Sequence, residues 1–101
     1  MSRISTLEER RDLTLQRMEQ EYRERQKVVM EQLDEIRSRA KVQKERGEDI
    51  TDTYQEYLDK KHVLDGGYYE YVQNRKDVWH YYEGEIETAK EGEEYFLSKD
   101  Q

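Results

Sequence analysis

Asp59-Lys60-Lys61-His62 and Asp77-Val78-Trp79-His80 are the two stretches whose residue types and spacing could hold a metal. On a helix, positions i and i+3 project to one side, so a carboxylate and an imidazole spaced in this way can share an ion with a like pair on a facing helix. Here both pairs fall on one helix, 18 residues and roughly 27 Å apart at 1.5 Å per residue, and neither lies on the apolar stripe of that helix. They read as solvent-facing histidines beside acids, and no metal or cofactor is expected. Nucleophilic chemistry fares no better. There is no cysteine, and Ser2, Ser5, Ser38 and Ser98 have no evident histidine base nearby. The 25 Asp and Glu make carboxylate pairs inevitable, but none sits in an apolar setting that would raise its pKa for acid–base work. No strand and no glycine-rich phosphate loop is discernible. The expectation is a protein that is not an enzyme.

The elements that carry these residues follow from composition and periodicity. Of 101 residues, 43% are charged and 33% hydrophobic, mean hydropathy is −1.40, and proline is absent. So polar a chain folds only if its apolar residues form one stripe on a long helix. The lack of proline favours long helices over loops. Ser5-Thr6-Leu7-Glu8 has the form of a capping box. From there Ile4, Leu15, Met18, Tyr22, Val29, Leu33, Ile36 and Ala40 share one side, interrupted by Arg11 and Gln26. Lys44-Glu45-Arg46-Gly47 is a stop signal, and Asp49 or Thr51 can cap a second helix. Ile50, Tyr54, Tyr57, Leu64, Tyr68, Val72, Trp79, Tyr82, Ile86, Ala89 and Leu97 stay in phase along it. Ile50, Tyr68 and Ile86 are 18 residues apart, five whole turns. That phase predicts a helix continuous through Gly66-Gly67, kinked or frayed there. A turn at Asp65-Gly66-Gly67, making three helices, is the alternative.

The expected architecture is all-α: a single domain, 1–101, folded as an antiparallel, coiled-coil-like two-helix hairpin, with helix 1 about 5–46, a turn about 47–48 and helix 2 about 49–97. Positions summing to about 94 should face each other, placing Leu33 near Lys61, Tyr22 near Val72, Leu15 near Trp79, and Arg11 near Tyr82 and Glu83. Residues 1–46 hold 12 Lys and Arg against 10 Asp and Glu, a balance of +2, while 47–101 hold 6 against 15, a balance of −9. This split suits a basic helix lying on an acidic one, and an acidic chain is a poor nucleic-acid binder. No apolar run is long enough to span a membrane and no signal-peptide core is evident, so a cytoplasmic location is expected, with export lacking a cleavable signal left open. A seam one stripe wide leaves flanks such as Met30, Tyr71 and Val78 partly wet. A homodimer, or a heterodimer with a similar hairpin, forming a four-helix bundle would cover them. Away from the seam, Val63, Tyr81 and Tyr95 on helix 2, near Gly66, Gly84 and Gly92, and Leu13, Val28 and Val42 on helix 1 form sparse back stripes for a protein partner.

About 100 residues, two helices, a central break and Phe96-Leu97-Ser98-Lys99-Asp100 at the end of helix 2 resemble the WXG100-like helical hairpins of type VII secretion and the accessory proteins of LXG toxins. The family's Trp-x-Gly turn is absent. The turn here reads Glu45-Arg46-Gly47, and Trp79 lies deep in the second helix. The resemblance implies a non-enzymatic accessory or targeting chaperone that pairs with a like hairpin and escorts a secreted toxin or effector, Phe96 and Asp100 belonging to its recognition tail. Two other readings of the residues stand beside it. One is a phage-type acidic inhibitor presenting carboxylates to a nucleic-acid-handling protein; the other is an oligomeric coiled-coil adaptor of a larger assembly.

Overall fold

The computed structural model describes residues 2–99, and among these there are two α-helices and no strand, α1 (Arg3–Glu45) and α2 (Thr51–Lys99), joined by a short turn. The fold is an all-α antiparallel helical hairpin. Helix α1 starts two residues before the expected position because Ser2, rather than Ser5, is its cap. The Ser2 hydroxyl accepts from the backbone N–H of Ser5 at 3.1 Å, satisfying one of the donors that the first turn leaves open. At the other end the Gly47 N–H donates to the Lys44 carbonyl at 3.0 Å and the Glu48 N–H to the Gln43 carbonyl at 2.9 Å. Together with φ +76° at Gly47, this is a Schellman arrangement, and it ends the helix where the stop signal was expected. Asp49 then accepts from the backbone N–H of Thr51 at 3.1 Å and from its hydroxyl at 2.7 Å, opening α2. Those bonds, the hydroxyl's first, hold the Asp49 carboxyl below its ordinary range.

Helix α2 runs without a break through Gly66-Gly67. The two glycines are not turn residues, since Gly47 alone among the described residues has positive φ. The chain divides into two compact units, residues 20–71 and the residues up to Glu19 together with those from Val72 onward.

In the unit of residues 20–71, Leu33 and Ile36 are buried, and so is Thr53, whose hydroxyl donates to the Gln43 side-chain oxygen at 2.6 Å. Tyr22 stacks on Tyr71 with ring centroids 4.2 Å apart. Arg39 and Glu56 form a two-pronged ion pair at 2.9 and 3.2 Å. The pairs Gln43–Thr53, Arg39–Glu56 and Tyr22–Tyr71 sum to 96, 95 and 93, close to the expected 94, while Gln26–Leu64 sums to 90. In the second unit Leu7 and Ile86 are buried, and Arg11 lies 4.3 Å from the centre of the Trp79 ring. Leu15 was expected opposite that ring.

Four residues assigned to the inward stripe of α2 are instead exposed: Tyr54, Tyr68, Trp79 and Leu97. For the first three the cause is phase. Thr53, Gly67, Tyr71 and Val78 take the seam positions, rotating the inward side by part of a turn and leaving the larger rings on its flank. Leu97 has a different cause: Arg3, the first helical residue of α1, already reaches Glu85 of α2 at 3.9 Å, so the last turns of α2 run past the start of α1.

Candidate interaction surfaces

Leu13, Val28 and Val42 on α1 and Val63, Tyr81 and Tyr95 on α2 are all exposed. Leu13 and Val42 lie on the side of α1 away from the buried Leu33 and Ile36, whereas Val63 and Tyr81, one turn from Gly67 and Val78, flank the seam of α2. Val28, Val42 and Val63 belong to the unit of residues 20–71, and Leu13, Tyr81 and Tyr95 to the other. On α2, Gly66, Gly84 and Gly92 have open space where a side chain would begin, whereas Gly67 has the Gln26 amide 3.5 Å from that point. Tyr95 and Phe96 stand together near the end of α2, with Phe96 67% exposed. Phe96 lies within the helix, three residues before Lys99, rather than just past it as the resemblance implies. Asp100, its expected partner in recognition, lies outside the described residues.

A surface that sequence reasoning partly misassigned lies on the unit of residues 20–71. Tyr22, Gln26, Met30, Leu64 and Tyr68 line a groove of about 580 Å³. Ile36, Arg37, Ala40, Ile50, Tyr54 and Tyr57 line a second of about 250 Å³. Met30 and Arg37 are seven residues apart on α1, and Tyr54 and Tyr68 fourteen apart on α2. Both spacings are close to whole turns, so the two grooves open on one side of the helix pair. Met30 is 56% exposed, Tyr54 56% and Tyr68 52%. Met30 was expected to be partly wet; Tyr54 and Tyr68 were expected in the seam. The rim carries both signs of charge, from Lys27 and Arg37 to Glu31, Asp34 and Asp65.

The other unit holds a more polar groove, of about 520 Å³, lined by Glu8, Arg11, His80, Glu83, Glu87 and Lys90 among others. His80 stands there among acids, but no cluster of three or more metal-binding side chains occurs among the described residues. Nor is any helix among them long and apolar enough to cross a membrane. No known protein family, curated protein or solved structure matches the chain.

Proposed function

We propose that the chain is a non-enzymatic protein–protein interaction module, and that it serves as an accessory or targeting partner of a secreted toxin or effector in a type VII secretion system. One observation carries the interaction reading: among the described residues fourteen large hydrophobic side chains are exposed, against four that are buried. Of these, Met30, Tyr54 and Tyr68 line the two grooves on residues 20–71; exposed apolar surface gathered in this way marks partner contacts, and aromatic side chains are the residues that anchor them. The finer, secretion-linked reading rests on the resemblance carried by the hairpin, its central glycine turn and the aromatic end of α2.

The test is affinity capture of the tagged chain from its native host, with mass spectrometry of what co-purifies, repeated with Tyr95→Ala and Phe96→Ala. An effector or secretion component captured by the parent chain and lost from the variants supports the proposal. Capture of a basic nucleic-acid-handling protein, released by removing α2 acids rather than these aromatics, would move the function to acidic inhibition.

A further inference from the structure

The groove of about 250 Å³ beside the turn differs from the other two in what lines it. The larger groove of the same unit is rimmed by Glu31, Asp34 and Asp65 as well as Lys27, and that of the other unit by Glu8, Glu83 and Glu87. Here Arg37 is the sole charged residue among the described ones that line it. The floor is apolar. Ile36 is buried and Ile50 half-buried, and Ala40, whose side chain is a single methyl, leaves the space that Tyr54 and Tyr57 wall. The Thr53 hydroxyl is already used by Gln43, and no buried side-chain nitrogen or oxygen among the described residues lacks a partner. The floor therefore asks for no polar ligand atom.

The polar demand lies at the exposed edge. Arg37 donates through Nη2 to the Tyr57 hydroxyl at 2.9 Å, and its guanidinium carbon is 5.5 Å from the centre of the Tyr57 ring. Tyr57 thus holds the guanidinium beside the groove. That bond uses one of its five N–H donors. Arg3, Arg11 and Arg39 each reach a carboxylate, at 3.9, 3.1 and 2.9 Å, whereas among the described residues Arg37 reaches none. In a chain of net charge −7, an arginine with no acid against it, next to an apolar hollow, is complementary to a ligand with one negative charge and an apolar body. A carboxylate meets the guanidinium fork with two parallel bonds. A single cation balances that single charge, which favours it over a doubly charged phosphate ester. Size narrows the body. An apolar cavity of about 150 Å³ holds benzene, so 250 Å³ takes one aromatic ring and a short acid-bearing arm, less than a drug-sized ligand. Tyr54, 56% exposed, and the half-buried Tyr57 offer that ring aromatic contacts.

We propose that this groove binds a small aryl-alkyl carboxylate, its acid paired with Arg37 and its ring over Ile36, Ala40 and Ile50 beside Tyr54. Tyr95 and Phe96 belong to the other unit, so the site does not rest on the interaction-module reading. Binding of the acid and capture of a protein partner are independent outcomes.

The probe is 3-phenylpropanoate, titrated into the full chain and followed by isoleucine methyl and tyrosine ring resonances. Shifts should concentrate on Ile36, Ile50, Tyr54 and Tyr57 and give a dissociation constant below about one millimolar. The neutral 3-phenylpropanamide, of the same shape, should bind at least about tenfold more weakly, the loss expected when a charge-assisted pair is removed. The acid should bind Arg37→Gln more weakly by a similar factor. Arg39→Gln is the control for general attraction by cations. That side chain is already paired with Glu56, and its removal should leave the constant unchanged. Ala40→Leu, which fills the hollow, should abolish binding while the far-ultraviolet helical signal persists; if that variant does not fold, Arg37→Gln, at an exposed position, carries the test. Equal affinity for the amide, or an equal loss in Arg39→Gln, overturns the proposal. So does the absence of shifts at about ten millimolar acid. Resonances of the groove that move on dilution of the protein but not with the acid would give the groove to a second copy of the chain, and also overturn it.

Discussion

Arg11 and Gln26 are polar residues on the inward side of α1, and each finds its partner on α2. The guanidinium of Arg11 covers the Trp79 ring. The Gln26 amide donates to the Leu64 carbonyl at 3.3 Å and lies 3.5 Å from where a Gly67 side chain would begin, an ordinary contact distance. The glycines themselves predict opposite outcomes. Gly47 sits at φ +76°, a conformation that costs an L-residue about 1–2 kcal/mol, so Gly47→Ala should lower stability by about that much in urea titrations. Gly66 is helical with open space around its missing side chain, so Gly66→Ala should raise stability by up to about 1 kcal/mol. Asp49 adds a pH dependence. Its folded pKa lies below the ordinary 3.8, chiefly through the Thr51 hydroxyl. Its contribution is therefore complete above that value and lost as pH falls through the lower, folded one. Thermal melts from pH 5 down to 2 should show Asp49→Asn losing less stability than the parent over that interval.

At the scale of the helices, both elements, the Gly47 turn and the continuity of α2 through Gly66-Gly67 were legible, because cations before a glycine and an unbroken apolar phase have direct backbone consequences. The exact inward side of α2 was not. Pattern reading gives weight to large rings, and Tyr54, Tyr68 and Trp79 pulled the expected stripe toward themselves. In the folded pair the seam is instead filled partly by Thr53, whose hydroxyl is used by Gln43, and by Gly67. Neither signals burial by type. Of the expected interaction residues, Val63, Tyr81, Tyr95, Phe96, Leu13 and Val28 are indeed exposed, but the groove-bearing side was hidden by the same phase error. The consequence is measurable. Leu33→Ala and Ile36→Ala, both at buried positions, should cost about 2–4 kcal/mol each. Trp79→Ala should cost less than either, because its ring is 40% exposed and its inward contact is a flexible guanidinium. Denaturant titration of the three variants decides this, and a Trp79 loss exceeding that of Leu33 would return the ring to the inward stripe.

For the chain as a whole, the quantity that matters is how little surface folding removes. An unfolded chain of 12.5 kDa exposes about 18,000 Å² by mass scaling. The folded chain still exposes 8389 Å², so about 54% is buried, less than the roughly 60% reached by a compact 60-residue domain. Stability that is thin in the single chain becomes linked to association, since a partner that binds only the folded form adds its binding free energy to folding. For a dimer that unfolds to two free chains, a hundredfold rise in concentration contributes RT ln 100, about 3 kcal/mol near 60 °C. The unfolding entropy of a pair of 101-residue chains is about 0.4 kcal/mol per kelvin at about 2.1 cal/mol/K per residue. The ratio sets the expected shift: the melting temperature should climb by about 7 °C between one and one hundred micromolar. In Tyr68→Glu, which puts a charge on the groove-bearing side, it should be lower and nearly independent of concentration. Calorimetric scans of the two proteins over that range provide the measurement, and a concentration-independent melt of the parent chain would mean that the hairpin is stable without a second copy.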